Sequence, residues 1–207
     1  MDRADPDLVV RGVGIWRGLV PPAAQSALVA DLRAVAEAAP FLRPVTRRGQ
    51  ALSVRMTSAG ALGWITDRRG YRYEPRHPSG AAWPPIPDRL LRLWAAVVPD
   101  APPPDSCLVN FYDAAARMGL HQDCDEADLT QPVVSLSLGD DALFRLGSVA
   151  RGGRTESLWL HSGDVAVLAG AARLIHHGID RIRGGSSSLL PEGGRINVTL
   201  RVAGPPR

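Results

Sequence analysis

The apolar positions of this chain change period part-way along it. Residues 8–16 are β-branched and glycine-punctuated and read as an opening strand. Pro21 and Pro22 then open a helix, where proline's missing N–H costs nothing. Leu28, Leu32, Val35 and Ala36 give that helix one apolar stripe, and Pro40 ends it. A second helix is predicted over 88–98, with Asp88 as its N-cap and Leu90, Leu91, Leu93, Trp94, Val97 and Val98 at helical spacing. Both stripes predict packing against a sheet. Past Pro104 the period shortens to two. Strands are expected at 107–112, 133–138, 142–146, 157–160, 164–168, 173–179 and 195–202, with Gly, Asp and Ser between them. Many short strands of this kind predict a mainly β sandwich or jelly roll with flanking helices.

Two stretches break both patterns. Residues 43–87 are rich in Arg, Gly, Pro, Trp and Tyr and predict a long irregular segment, which in a single domain is usually a functional lid. Residues 184–194 read as a mobile Ser/Gly-rich loop, and 203–207 as a polar tail.

Composition changes this picture little. With 207 residues the chain forms one domain with a full core, and its 45% apolar content is ordinary for a soluble protein. No apolar run approaches a membrane span, and Met1 to Pro6 lacks a basic start followed by an apolar stretch, so a cytoplasmic place is expected. Cys107 and Cys124 are too few for a disulfide scaffold and have no metal spacing, so both read as reduced thiols. All 24 basic residues are arginine. A GC-rich genome accounts for most of that bias, although arginine also suits phosphate contacts and stacking, which leaves a nucleic-acid partner open.

The candidate chemistry starts at His121-Gln122-Asp123, in a chain with five histidines. In an extended segment, side chains at i and i+2 leave the same face, so His121 and Asp123 can grip one ion. A second His far downstream would complete the 2-His-1-carboxylate triad that leaves half the sphere of Fe(II) open. His176 and His177 are the candidates. Adjacent residues on a strand face opposite ways, so at most one joins, and periodicity does not say which. His77 and His161 read as structural or solvent-facing. On the stretch 195–201, alternation puts Arg195, Asn197, Thr199 and Arg201 on one face. That face either looks out to water or binds a small dianion through guanidinium forks. Asn110 and Tyr112 add an amide and a phenol from another strand face.

Taken in order, His121-x-Asp123-x-Asp125-Glu126, His177-Gly178-Ile179 and Arg195-x-Asn197-x-Thr199-x-Arg201 resemble the AlkB family of Fe(II)- and 2-oxoglutarate-dependent nucleic-acid demethylases. The likeness extends to the lid from Leu62-Gly63-Trp64 to Gly70-Tyr71-Arg72-Tyr73, to Asn110-x-Tyr112, to 134–139 and to Arg173-Leu174. It implies a double-stranded β-helix in a single domain over 1–207, with a nucleotide-recognition lid at 41–87 and a catalytic core at 105–202. It further implies Fe(II) held by His121, Asp123 and His177, with His176 facing away. The co-substrate 2-oxoglutarate would meet Asn110, Tyr112, Arg195, Asn197 and Arg201, with Arg201 on the distal carboxylate and Arg195 nearer the metal. Trp64 and His121 would sandwich the damaged base, and Asp125 would read its exocyclic amine. Tyr71, Thr46, Met56 and Arg151 fall where the family contacts nucleic acid.

The activity so implied consumes O₂ and 2-oxoglutarate, gives succinate, and repairs bases such as 1-methyladenine and 3-methylcytosine in DNA, and in RNA, with release of formaldehyde. The partner would be alkylated nucleic acid, single-stranded by preference, acted on by a monomer. Two other readings stand beside it: a 2-oxoglutarate-dependent hydroxylase of a protein or small molecule, and a non-catalytic jelly-roll binding protein.

Overall fold

The computed structural model describes residues 5–205. In chain order its first half comprises β1 (Leu8–Val10), β2 (Val13–Trp16), α1 (Pro22–Ala38), β3 (Arg55–Gly60), β4 (Gly63–Asp67), β5 (Gly70–Glu74) and α2 (Asp88–Val97). The second half comprises β6 (Ser106–Tyr112), β7 (Met118–His121), β8 (Val133–Gly139), β9 (Asp141–Leu146), β10 (Glu156–Leu160), β11 (Val165–Leu168), a 3₁₀ turn (Gly170–Ala172), β12 (His177–Arg183) and β13 (Arg195–Arg201). A large sheet runs β1-β2-β11-β8-β13-β6-β3 and faces a smaller one, β10-β9-β12-β7, while β4 and β5 form a separate hairpin. The pairings are antiparallel throughout. This is the jelly roll that the short alternating strands predict.

Both helices lie on the outer face of the large sheet. Leu28, Leu32 and Val35 of α1 and Leu90, Leu93 and Trp94 of α2 pack with Val109, Leu136, Ile196, Val198 and Leu200 in one core. A second core lies between the sheets, built from Ile15, Leu108, Phe144, Leu146, Leu160, Ile179 and Ile182 among others. Neither helix has a side-chain cap: Pro21 and Pro87 occupy the N-cap positions, and Asp88 is the first helical residue rather than the cap expected of it. A missing cap costs about 1 kcal/mol. Burying Leu28, Val29, Leu32 and Val35 contributes about 1.5–3 kcal/mol each, so tertiary packing sets where α1 begins.

Other expectations fail for local reasons. The opening strand is a hairpin, because Arg11 and Gly12 take positive φ (52° and 83°), as a two-residue turn between twisted strands requires. The stretch 43–87 is irregular at its two ends but not in its middle, where β3 pairs with β6 along the edge of the large sheet and β4–β5 form a hairpin against it. Strand 173–179 begins only at His177, after the 3₁₀ turn, and continues to Arg183. Loop 184–194 is anchored, with Asp140 accepting backbone N–H groups of Ser187 (3.1 Å) and Gly194 (2.9 Å). Of the expected polar tail, Ala203 and Gly204 are buried and donate their N–H groups to Asp105, while Pro206 and Arg207, like the chain start at Met1 to Ala4, lie outside the described residues. No helix among the described residues is long and apolar enough to cross a membrane.

Candidate metal and co-substrate site

The strands β7 and β12 run side by side with His121 and His177 as direct partners. Gly178 makes that approach feasible. A Cβ there would stand 2.5 Å from the carbonyl oxygen of Met118 and 2.8 Å from that of Gly119, so no other residue lets β7 come as close. The two imidazole centroids are 4.5 Å apart. Each Nδ1 faces a backbone carbonyl, Gly119 for His121 (2.9 Å) and Ile175 for His177 (3.0 Å), which places the proton on Nδ1 and leaves the Nε2 lone pairs free. Asp123, just past the end of β7, brings its oxygens to 3.8 Å from both Nε2 atoms. All three donor atoms lie within 4.8 Å of one another. Two imidazoles and one carboxylate on one side of a cavity are a donor set that fits Fe(II). Between the two candidates left open by periodicity, His177 is the one that turns in, and His176 points its Nδ1 at the Ser148 carbonyl (2.9 Å).

The electrostatics suit a cation. Burial pushes His177 down to about 4 against the attraction of Asp123, so its ring is neutral at pH 7. Burial also disfavours ionisation of Asp123, but Arg201 first, then His177 and His121, outweigh it and hold the carboxyl below the usual carboxylate range.

The polar face of β13 looks inward, not to water. All seven of its residues are buried. Because the helices cover the other face of the sheet, Arg195, Asn197, Thr199 and Arg201 turn into a cavity of about 270 Å³ that also reaches the His/Asp cluster. On β6, Asn110 stands opposite Asn197, and Tyr112 opposite Arg195. Asn197 donates to Ser135 Oγ (2.7 Å) and accepts from Thr199 Oγ1 (3.1 Å). Arg195 donates Nη2 to Ser137 Oγ (3.0 Å), yet its Nε and Nη1, Arg201 Nη1 and Asn110 Oδ1 are buried without a hydrogen-bond partner among the described residues. Orphaned guanidinium donors are costly unless a ligand accepts from them. A molecule with a carboxylate at each end answers this arrangement.

The expected order of the two arginines is reversed. Arg201 donates Nη2 to Asp123 Oδ2 at 2.8 Å and is therefore the arginine at the metal end. Arg195 lies six residues back along β13, roughly 20 Å at strand rise, and belongs to the distal end. The topology dictates this, since β13 places Arg201 opposite Val133, beside the loop that carries Asp123.

One residue of this site has no role assigned from the sequence. Glu126 is buried, and it accepts from Tyr73 Oη (2.7 Å) and Arg173 Nη2 (3.1 Å) while pairing with Arg201 Nε (3.1 Å). It ties the β4–β5 hairpin to the arginine at the metal end. Only its place after His121-x-Asp123-x-Asp125 hinted at this.

At the cavity mouth Trp64 stacks on Tyr71 (5.5 Å, 15°) and donates Nε1 to Asp125 Oδ2 at 2.8 Å. Both aromatics, Asp125 and Met56 line the same cavity. Thr46 and Arg151 do not. Thr46 closes a tight turn with Gln50, and Arg151 is exposed on the loop after β9. His77 bonds Ser79 and the Pro40 carbonyl, and His161 pairs with Asp141 at 2.9 Å, so neither joins the cluster.

Comparison with known proteins agrees with this geometry. The family model described as 2OG-Fe(II) oxygenase superfamily matches residues 12–201. An "Alpha-ketoglutarate-dependent dioxygenase AlkB homolog" of Caulobacter vibrioides is 56% identical over 201 residues, covering 97% of this chain and 91% of its own length. The "Alpha-ketoglutarate-dependent dioxygenase AlkB" of Escherichia coli is 42% identical over 183 residues, covering 86% and 84%. A solved structure of OsALKBH1 superposes with a TM-score of 0.77 at 31% identity, over 94% of this chain and all of that one. With ligand donors, arginine pair and sequence in agreement, the chain belongs to the AlkB family of Fe(II)- and 2-oxoglutarate-dependent dioxygenases.

Proposed function

We propose that this chain is an oxidative demethylase of nucleic acid, acting on N-alkylated bases such as 1-methyladenine and 3-methylcytosine in DNA and in RNA. The observation that carries the reading is the mouth of the cavity. An aromatic plane, Trp64, and an acid, Asp125, are held together there by a 2.8 Å hydrogen bond, over the same cavity that contains the His/Asp cluster. A flat heterocycle with an exocyclic amine suits both groups, stacking on the first and donating to the second.

When bound, Fe(II), 2-oxoglutarate and O₂ supply the oxidising power that hydroxylates the N-alkyl carbon, with succinate and CO₂ as co-products. The protein's part is holding and orienting. His121, Asp123 and His177 hold the metal. Arg201 and Asn110 face the metal end of the co-substrate, and Arg195, Tyr112 and Asn197 its distal carboxylate. Met56 gives the base an apolar wall, while Tyr71, Thr46 and Arg151 meet the strand outside the cavity. An N-hydroxymethyl base loses formaldehyde on breaking its own C–N bond, so no acid/base dyad is required. Taking the base out of a stack costs a few kcal/mol, least where pairing is already broken by the alkyl group, and this favours lesions and single strands. A monomer in the reducing cytoplasm, which keeps Cys107 and Cys124 as the free thiols they are, suits ferrous chemistry.

The test is formaldehyde release from oligonucleotides carrying 1-methyladenine or 3-methylcytosine, single- and double-stranded, with Trp64→Ala alongside. The expected outcome is turnover by the wild type and weakened substrate binding in Trp64→Ala, with 2-oxoglutarate decarboxylation largely intact. Formaldehyde from a peptide or small molecule, and none from any methylated oligonucleotide, would overturn the reading.

A further inference from the structure

Beyond the cavity mouth, two turns carry a group of arginines that nothing above uses. One is the turn 46–50, closed by Thr46 N–H to Gln50 O (2.9 Å) and Gly49 N–H to Thr46 O (2.8 Å). The other is the tip of the β4–β5 hairpin, where Asp67 faces Gly70. The turns hold one another. The guanidinium of Arg47 lies on Gly70, where a Cβ would stand 2.4 Å from its Nε, and that of Arg68 lies 3.9 Å from a Cβ on Gly49. Thr66 Oγ1, which donates to the Val45 carbonyl at 3.1 Å, joins the two segments below the tips.

The charges are unbalanced. The acids of the hairpin, Asp67 and Glu74, are both taken by Arg72 at 2.9 and 2.6 Å, with Arg69 at 3.5 Å from Asp67. Arg47, Arg48 and Arg68 are exposed and have no acid within ion-pair distance among the described residues. An arginine lying against a glycine backbone has less room to move than a free surface side chain, and so presents its donors with less entropy to lose. Tyr71, half exposed and stacked on Trp64, is the next residue after Gly70. The tip therefore lies roughly 10 Å beyond the indole at strand rise, about one or two nucleotides along a strand. At the mouth itself Asp125 is an exposed carboxylate, which repels an anion. A polyanion leaving the cavity is thus drawn toward the arginine-bearing tips.

We propose that Arg47, Arg48 and Arg68 form a landing site for backbone phosphates of the single strand that continues past the target nucleotide. This rests on the reading of the enzyme as a nucleic-acid demethylase and deepens it, because it makes a strand rather than a lone nucleotide the preferred substrate. Each phosphate contact on a single strand adds about 0.7 to the slope of log affinity against log salt, so three contacts add about 2. Between 50 and 200 mM salt, a fourfold change, that corresponds to about a 16-fold loss carried by these residues.

The experiment compares wild type with the triple variant Arg47→Ala/Arg48→Ala/Arg68→Ala. It measures KM for a methylated oligonucleotide and for the methylated mononucleotide across that salt range, with circular dichroism to verify folding. The expected results are a salt slope lower by about 2 for the oligonucleotide and an unchanged KM for the mononucleotide. A control, Arg33→Ala/Arg92→Ala, removes exposed arginines from the two helices and is expected to leave the slope alone. An unchanged slope in a folded triple variant overturns the proposal, as does an equal fall in the control. Polyglutamate competing as well as an unmodified oligonucleotide also overturns it, since the patch would then be a general polyanion surface. Absence of wild-type turnover on every oligonucleotide would instead strike the demethylase reading itself.

Discussion

Changing Glu126 to Gln tests whether the charges beneath the metal cluster form a neutral unit. Arg173 and Arg201 are 3% and 7% exposed, and they face two carboxylates, Asp123 at 9% and Glu126 at 2%. Glutamine keeps the shape of Glu126 but leaves two buried guanidinium groups facing one carboxylate. Breaking a buried pair costs about 3–5 kcal/mol. In a chain of this size each kcal/mol lowers Tm by about 2–4 °C, so a fall of roughly 6–20 °C is expected in the metal-free protein. Tyr73→Phe removes a single bond to the same carboxylate and is expected to cost about 1.5–3 kcal/mol. The double variant should show a coupling of at least about 0.5 kcal/mol, as residues sharing one network do. The assay is thermal and urea unfolding of the four proteins, with 2-oxoglutarate affinity measured beside it. If Glu126→Gln melts within about 2 °C of wild type and binds 2-oxoglutarate unchanged, the carboxylate does not hold Arg201 and the argument fails.

Asp123→Ala is expected to abolish Mn(II) binding and turnover while the circular dichroism spectrum stays native; unchanged turnover would remove the metal assignment. Gly178→Ala drives a Cβ to 2.5 Å from the Met118 carbonyl and must push β7 away, so metal affinity is expected to fall at least about tenfold and stability by about 1–3 kcal/mol, read by Mn(II) titration and urea melts. Because His177 is neutral down to about 4 and an unfolded histidine protonates near 6.5, the unfolded chain binds more protons below pH 6.5. The metal-free protein therefore loses stability as pH falls from 6.5 to 4 and gains nothing from this group above 6.5; melting temperatures of wild type and His177→Gln that fall in parallel from pH 7 to 5 would contradict this. Finally, burial pushes the Cys107 thiol up to about 12 while Cys124 is exposed, so a thiol reagent at pH 8 is expected to modify one cysteine, identified by mass spectrometry as Cys124.

Periodicity carried much of this site into view. His121 and Asp123 share a face, and β13 separates its apolar residues from Arg195, Asn197, Thr199 and Arg201, because a strand has a period of two wherever it lies. The same property explains what was hidden. Alternation assigns residues to faces but does not say what covers each face, so only the packing of α1 and α2 on the sheet shows that the polar face is the inner one. It does not say where a strand starts, so periodicity alone leaves His176 and His177 equivalent, and the 3₁₀ turn before β12 is what sets their faces. Glu126 was illegible because its partners Tyr73 and Arg173 are 53 and 47 residues away.

The resemblance puts Arg201 at the distal carboxylate, whereas the register of β13 sets it beside Asp123. The corrected order has a physical consequence. Arg201 holds Asp123 through Nη2 and pairs with Glu126 through Nε, while its Nη1 is buried without a partner among the described residues. One planar guanidinium thus joins Asp123 of the proposed metal site, the buried Glu126 carboxylate and the proposed co-substrate pocket. A group shared in this way makes their binding energies interdependent, and linkage requires the dependence to be reciprocal. Metal should tighten 2-oxoglutarate by the same factor that 2-oxoglutarate tightens metal, and Arg201→Lys, which cannot present three donors in one plane, should reduce both affinities and the coupling between them.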